Sequence, residues 1–297
     1  MRHVTRYRRS DAPAAVEFFR EVNALDETIA ADTLPGWQAF VDEPENDGGS
    51  GFFTVWGDDE RLIALAYSHL EAAPIQHFRI FVHPLHRRRG LARILLAAIA
   101  EQHPRHLLQT NCPERWRAMA AFLRATGFEA IDREDQLRRP SGVLRHRTQR
   151  VATARAEPSD LAAICRIHEL AYRGSVGFVP LYPATLEQRV ARAESELWVT
   201  RAPSDGVTAF IELNPGAEWE VNSVATSPAF QRQGLATALL ELASERASAE
   251  GRGLRLFVRS TNANALRLYQ RLGFVPVSFS TRYVRGSEPF MPARTTP

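Results

Sequence analysis

Residues 82–92 read Val82-His83-Pro84-Leu85-His86-Arg87-Arg88-Arg89-Gly90-Leu91-Ala92, and residues 226–236 read Thr226-Ser227-Pro228-Ala229-Phe230-Gln231-Arg232-Gln233-Gly234-Leu235-Ala236. Each stretch follows a β-rich segment (Gln76 to Val82; Glu220 to Thr226) and opens a helical pattern (Leu91 to Glu101; Leu235 to Ala249). Downstream, each copy closes an amphipathic helix with Gly-Phe, at Gly127-Phe128 and Gly273-Phe274. Upstream, Val4 to Arg9 and Val151 to Arg155 read as matching first strands. Each is followed by a helix start marked by Asp or Pro (Asp11, Ala12, Pro13; Pro158, Ser159, Asp160). The offset of about 145 residues is half of the 297-residue chain, which makes this a duplicated domain and not a solenoid.

Composition narrows the chemistry. The 37 basic residues are all Arg against 34 acids, so no Schiff-base, Walker-A or general-base Lys exists. The longest strongly apolar run, Ile94 to Ala100, is far short of the ~20 residues that span a bilayer. No apolar segment follows the Arg-rich start, so no secretory signal is expected. Cys112 and Cys165 read as reduced thiols in a cytoplasmic protein. His83/His86 and His103/His106 have ligand-like spacing, but no Cys or carboxylate cluster completes a set, so no metal is expected.

Within each copy the predicted order is strand, one or two helices, three strands, helix, strand, helix, strand, a mixed α/β sheet. In the second copy the helices fall at 158–172, 184–195, 234–249 and 262–272. Its strands fall near 150–155, 197–201, 207–213, 217–226, 254–259 and 276–285. The expected domains are 1–140 and 150–285, with a flexible tail at 286–297. Arg138-Arg139-Pro140-Ser141-Gly142 reads as a turn or linker. From Arg138 to Arg155 there are six Arg and no acid, either a solvated connector with an edge strand or a polyanion-binding patch.

The Gly-Leu-Ala turn joins a strand to a helix, and a helix N-terminus offers unpaired N–H groups to a phosphate. Gly234 and Ala236 let a ligand approach the backbone, and Arg232 adds charge. Some thirty residues on stands Asn262-Ala263-Asn264-Ala265-Leu266-Arg267-Leu268-Tyr269-Gln270-Arg271-Leu272-Gly273-Phe274. Together, these two motifs resemble the GNAT superfamily of acetyl-CoA-dependent N-acetyltransferases. The resemblance covers essentially the whole second copy; the first copy matches the first motif well and the second poorly. It implies two tandem GNAT-like domains, each with a sheet splayed around acetyl-CoA or another acyl-CoA. The pyrophosphate is expected on Gln231, Arg232, Gln233, Gly234, Leu235 and Ala236, the thioester on the backbone of Val224, Ala225 and Thr226, and Asn262 within reach of the cofactor. The matching cofactor positions in the first copy are Ile80, Phe81, Val82, Arg87, Arg88, Arg89, Gly90, Leu91 and Ala92.

Amide formation from a thioester needs a neutral amine, an oxyanion site and a proton for the leaving thiolate. Regular alternation puts Glu218, Glu220, Asn222, Val224 and Thr226 on one strand face, and Trp219, Val221, Ser223 and Ala225 on the other. Carboxylates on a central strand are costly unless they line a wet cleft. The resemblance places Glu220 where the histone acetyltransferase branch carries its base; the plainer reading is a salt-bridged or strand-end Glu. Glu218 competes for the role, and Phe257 fills the other usual base position. Tyr269 matches the family's acid for the thiolate; the plainer reading is a core aromatic. Asn262 also suits a helix N-cap. The acceptor pocket is expected from Tyr172, Phe178, Tyr182 and the Glu218/Glu220 face, suited to a cationic amine.

Counting back from Gly90, Gln76 matches Glu220, and Phe122 or Leu123 matches Tyr269. No acid lies between Glu71 and Glu101, so this copy is expected to keep a phosphate site yet to be catalytically silent. The expected function is acetyl transfer to a primary amine of a small molecule, in a monomer or homodimer. The layout is similar to mycothiol synthase-like and antibiotic-modifying tandem acetyltransferases. Two alternatives are a GNAT-fold transferase drawing on aminoacyl-tRNA, and a non-catalytic acyl-CoA sensor.

Overall fold

The computed structural model describes residues 3–26, 33–42, 44–72, 74–142, 151–173, 180–191, 193, 195–203 and 206–286. The first repeat supplies β1 (Val4–Arg6), α1 (Ala12–Asp26), α2 (Leu34–Val41), β2 (Phe52–Trp56), β3 (Leu62–Ala72) and β4 (Ile75–Val82). It continues with α3 (Leu91–Gln102), β5 (Leu107–Pro113), α4 (Arg117–Ala125) and β6 (Glu129–Arg139). The second supplies β7 (Thr153–Arg155), α5 (Leu161–Tyr172), α6 (Pro183–Ala191), β8 (Glu196–Ala202), β9 (Gly206–Asn214) and β10 (Trp219–Thr226). It ends with α7 (Leu235–Ala249), β11 (Leu254–Arg259), α8 (Ala263–Arg271) and β12 (Val275–Arg285). The mixed α/β reading holds in both repeats. Both also start their first helix by the same device: Asp11 Oδ2 accepts from Arg8 N at 2.8 Å, and Asp160 Oδ2 from Glu157 N at 2.7 Å.

Compactness divides the described residues into two units, one within Met1–Thr110 with Arg124–Glu129 and 283–286, the other within Asn111–Leu123 and Ala130–Arg282. In the first unit the strand order is β1-β2-β3-β4-β5, antiparallel except for the parallel pair β4–β5. An aromatic core fills the α1/α2 side of its sheet, where Phe19, Trp37 and Phe52 are buried and Trp37 Nε1 donates to Tyr7 Oη at 2.9 Å.

The second unit orders its strands β12-β6-β11-β10-β9-β8-β7. Its β6 comes from the first repeat and pairs antiparallel with β11, from Leu254 opposite Arg139 to Arg259 opposite Glu134. Arg138 and Arg139, expected in a turn, therefore end a strand. One further boundary differs from the sequence reading: helix α6 stops at Ala191 where 195 was expected, whereas the last strand ends at Arg285 as expected. One core of this unit lies under α7 and α8 (Trp219, Val221, Leu239, Leu240, Leu254, Leu256), and the other lies under α5 and α6 (Leu161, Ile164, Leu186, Phe210, Ala225).

The connector arginines have structural partners. Arg138 pairs with Glu218. Arg155 pairs with Glu196 at 2.8 Å and lies over the Trp198 ring. Arg139, 8% exposed, donates to the Leu272 carbonyl and the Gly142 carbonyl, each at 2.9 Å, and to Ser244 Oγ. It thus ties α7 to the end of α8. Arg145, Arg147 and Arg150 lie outside the described residues. Arg139→Met removes these bonds and strands buried acceptors, so denaturant unfolding should show a loss of about 2–4 kcal/mol in the unit that contains α7. A loss under about 1 kcal/mol, the size of a single ordinary hydrogen bond, would contradict this role.

Candidate active site

Strand β10 pairs with β11 at only three positions, Trp219–Leu254, Glu220–Arg255 and Val221–Leu256. On its other edge it stays paired with β9 as far as Thr226 opposite Ala209. Beyond Val221 the backbone has no ladder partner on the β11 side, and unpaired backbone groups in a sheet interior need a ligand or water. A bulge sits at the parting. Val221 faces Leu213 and Ser223 faces Glu212, so Asn222 is an extra residue.

That extra residue corrects the alternation expected from sequence. Trp219 and Val221 pack under α7, and Val224 joins them on that face, whereas Ala225 packs in the core under α5. An insertion of one residue exchanges the two faces. Glu220 therefore shares a face with Ala225 and not with Val224.

The loop beyond β10 holds an unusual backbone. Arg232 and Gly234 both take left-handed conformations, with φ of 63° and 79°. Gly234 is the N-cap of α7 and supplies no capping side chain. A Cβ there would meet nothing within 4 Å, so conformation and not crowding asks for glycine. No N-cap side chain satisfies the first-turn N–H groups of α7, which lie at the positive end of the helix dipole and suit an anion. In the first unit Arg88 and Gly90 repeat the arrangement at the start of α3, with φ of 62° and 81°.

Two tyrosines interact beside this strand, Tyr172 bonding to its backbone and Tyr269 sitting in the core against which Val224 packs. Tyr172 Oη donates to the Val224 carbonyl at 3.0 Å. Tyr269, buried on α8, senses Tyr172 electrostatically, and burial pushes its phenol above the ordinary tyrosine range. Burial raises Tyr172 as well. Asn262 is the N-cap of α8, its side chain accepting from Ala265 N at 3.1 Å.

Glu220 is ion-paired, its Oε2 2.7 Å from an Arg255 nitrogen. Glu218 is held by Arg138 and precedes the strand. Tyr182 is 61% exposed and its carbonyl caps α6. Phe178 lies outside the described residues. Phe257 stands 46% exposed on β11.

Two carboxylates at the site went unread in the sequence. Glu134, on β6, interacts with Glu220, Arg282, Arg259 and Asp132, and burial raises its carboxyl above the usual range. Only the strand exchange brings it here, so no local signal marks it. Glu212, 1% exposed on β9, accepts from Ser195 Oγ at 3.0 Å and Asn222 Nδ2 at 2.9 Å, and pairs with Arg189 at 3.0 Å. Its signal was present: a carboxylate in the apolar run Ala209-Phe210-Ile211-Glu212-Leu213.

Strand β4 of the first unit lacks the extra residue, and the β3–β4 ladder shifts only on the β3 side, between Leu70 and Ala72. Strand β4 keeps unbroken register with β3 from Gln76 opposite Leu70 to Val82 opposite Ala64. The structural counterpart of Glu220 is therefore His77, opposite His69, and not the Gln76 found by counting. The His77 ring stacks on His69 with centroids 5.1 Å apart. Leu123 is wholly buried. The two spaced His pairs serve other contacts: His83 lies 3.3 Å from Glu21, and His103 lies 3.3 Å from Ser68 Oγ. Among the described residues no group of three or more His, Cys, Asp or Glu could hold a metal ion.

The Acetyltransferase (GNAT) family model matches residues 16–128 and 161–274, one match in each repeat. The chain belongs to that family and is an N-acetyltransferase. It is 30% identical over 228 residues, 69% of this chain and 72% of the relative, to a mycothiol acetyltransferase of Mycolicibacterium gilvum. It is 27% identical over 263 residues to one of Clavibacter sepedonicus, covering 80% and 82% of the two chains. Among solved structures, the fold resembles a GCN5-related N-acetyltransferase from Sphaerobacter thermophilus, with TM-score 0.77 and 17% identity over 99% of this chain and 98% of the other. It also resembles a tandem GNAT protein from the clavulanic acid biosynthesis pathway, with TM-score 0.75 and 15% identity over 97% and 100%. No helix among the described residues is long and apolar enough to cross a membrane.

A phenol raised above its usual value stays protonated as pH climbs past that value. Ordinary tyrosine is half ionised near pH 10. Following phenolate absorbance, Tyr269→Phe should leave the change up to about pH 10 unaltered, because Tyr269 contributes none of it. A decrease of one residue's amplitude below that pH would contradict the burial of this hydroxyl.

Proposed function

We propose that the second copy transfers an acetyl group from acetyl-CoA to a primary amine of a small molecule. The observation that carries this reading is the parting of β10 from β11 beyond Val221, supported by the bulge, by the Tyr172 hydroxyl on the Val224 carbonyl and by the uncapped N-terminus of α7 that follows the strand. The residues fit the donor. Left-handed Arg232 and Gly234 shape a cradle for a pyrophosphate, with Gln231, Gln233, Leu235 and Ala236 completing it. The backbone of Val224 to Thr226 offers hydrogen bonds that no neighbouring strand uses. When bound, the thioester supplies an activated acyl carbon.

The chain's own groups supply the rest. Glu220, fixed by Arg255, takes the proton that an ammonium acceptor must lose, directly or through a water. Backbone N–H groups after the bulge stabilise the oxyanion as the C–N bond forms. Tyr269, kept protonated by burial, donates to the thiolate as the C–S bond breaks. Glu134 adds a second acid beside Glu220, which suits a cationic amine.

The first copy keeps the anion loop, with Arg87, Arg88, Arg89 and Gly90, but offers no carboxylate at the Glu220 position. We take it to be catalytically silent with a retained phosphate site. The aminoacyl-tRNA alternative is weakened because Arg138, Arg139 and Arg155 have partners within the fold. The test is thiol release from acetyl-CoA over a panel of small amines. Glu220→Gln and Tyr269→Phe should each lower kcat by roughly 10²–10⁴ with acetyl-CoA affinity unchanged. Full turnover in both variants, or tight acetyl-CoA binding with no turnover on any amine in the parent enzyme, would overturn the reading.

A further inference from the structure

The second unit contains a buried carboxylate that the chemistry above does not use. Glu212 sits mid-strand in β9 and is fully enclosed. Taking a carboxylate out of water is costly unless it is paired and hydrogen-bonded. Arg189 and Ser195 satisfy Oε1. Oε2 accepts from the side-chain amide of Asn222, the extra residue of the β10 bulge. The bond therefore joins a buried charge to the one residue that breaks the register of the catalytic strand.

The chain carries its own control. Eleven residues before Gly234 stands Ser223, opposite Glu212; eleven before Gly90 stands Arg79, opposite Tyr67. Where the second unit has Glu212, the first has Tyr67, whose ring lies 5.1 Å from Phe40 and 5.3 Å from Phe52. Where β10 carries an extra residue, β4 carries none; the β3–β4 ladder shifts instead on the opposite strand, between Leu70 and Ala72. The carboxylate on the third strand and the extra residue on the fourth are present together in one copy and absent together from the other.

We propose that Glu212 is a positioning residue: through Asn222 it holds the β10 bulge in the shape that presents the Val224 backbone to the thioester. Inserting one residue reverses which backbone groups point to β9 and which to the parted side. The Tyr172 hydroxyl fixes the same segment from α5, by its bond to the Val224 carbonyl. The bulge is thus tied at its extra residue and again two residues on. This inference rests on acetyl-CoA being the donor, and its test separates the two.

Asn222 is exposed apart from this bond, so Asn222→Ala should fold normally. In the full chain, titrating CoA and acetyl-CoA separately, the variant should bind CoA as the parent does. It should lose most of the acetyl group's added affinity, and kcat should fall about tenfold or more as the backbone donors lose their aim. Asn222→Asp sets a second carboxylate against Glu212 and should be at least as damaging; Glu212→Gln, which keeps an acceptor oxygen, should be milder than either. Without any ligand, amide hydrogen exchange in residues 219–226 should speed up in Asn222→Ala while the α7 core is unchanged. Unchanged exchange with an unchanged acetyl-CoA to CoA affinity ratio would overturn the proposal. So would a rise in amine KM alone, which would make Asn222 an acceptor contact. If the parent binds no acetyl-CoA, the donor reading fails by itself, and the exchange result still decides the role of Glu212.

Discussion

The parting of β10 from β11 after Val221 is the constraint on which the rest of the second unit depends. A parallel strand pair in a sheet interior normally satisfies its backbone along its whole length, and a buried amide left without a partner costs about 1–3 kcal/mol. Here the pairing ends after three residues. Such an opening persists only when surrounding structure holds it and something occupies it. Three contacts hold this one: the Asn222–Glu212 bond, the Tyr172–Val224 bond, and the Arg255–Glu220 pair that closes the still-joined end. The α7 N-terminus adds unpaired N–H groups. The strain at Arg232, a non-glycine residue in the left-handed region, belongs to the same loop.

Duplication explains why the two copies differ in kind. Both retain the Arg-x-Gly turn with the same two left-handed residues, and both retain a parallel strand pair that stops after three positions. Only one has an extra residue in its fourth strand, the buried carboxylate beside it and a carboxylate at the Glu220 position. The first copy fills the corresponding side with aromatic rings, which suits a stable core and not a wet cleft. Its last strand has another use. Placed against β11, β6 brings Glu134 toward Glu220 and lets Arg138 and Arg139 brace the ends of β10, α7 and α8.

Much of this was legible in the residues. The repeat, the strand and helix order of the second copy, and the roles of Gly234, Asn262 and the two helix-starting Asp follow from local chemistry, which acts within a few residues. The faces of β10 did not follow, because alternation assumes an unbroken ladder and Asn222 breaks it. The same insertion displaced the match for Glu220 from Gln76 to His77. Glu134 and Arg139 were hidden for a different reason: strand exchange is set by long-range pairing, and nothing near those residues reports it. The connector reading stayed open between a solvated segment and a patch because the partners of Arg138, Arg139 and Arg155, among them Glu218, Leu272 and Glu196, lie tens of residues away or more.

The most direct test of the account is a crystal structure of the protein with acetyl-CoA bound. The account predicts the acetyl carbonyl oxygen about 3 Å from a backbone nitrogen of β10 beyond Asn222, hydrogen-bond distance. It also predicts the pyrophosphate on the first turn of α7 and the Tyr269 hydroxyl beside the sulfur. A thioester held only beside β4 of the first unit, or a second-unit strand that straightens when the donor binds, would contradict it.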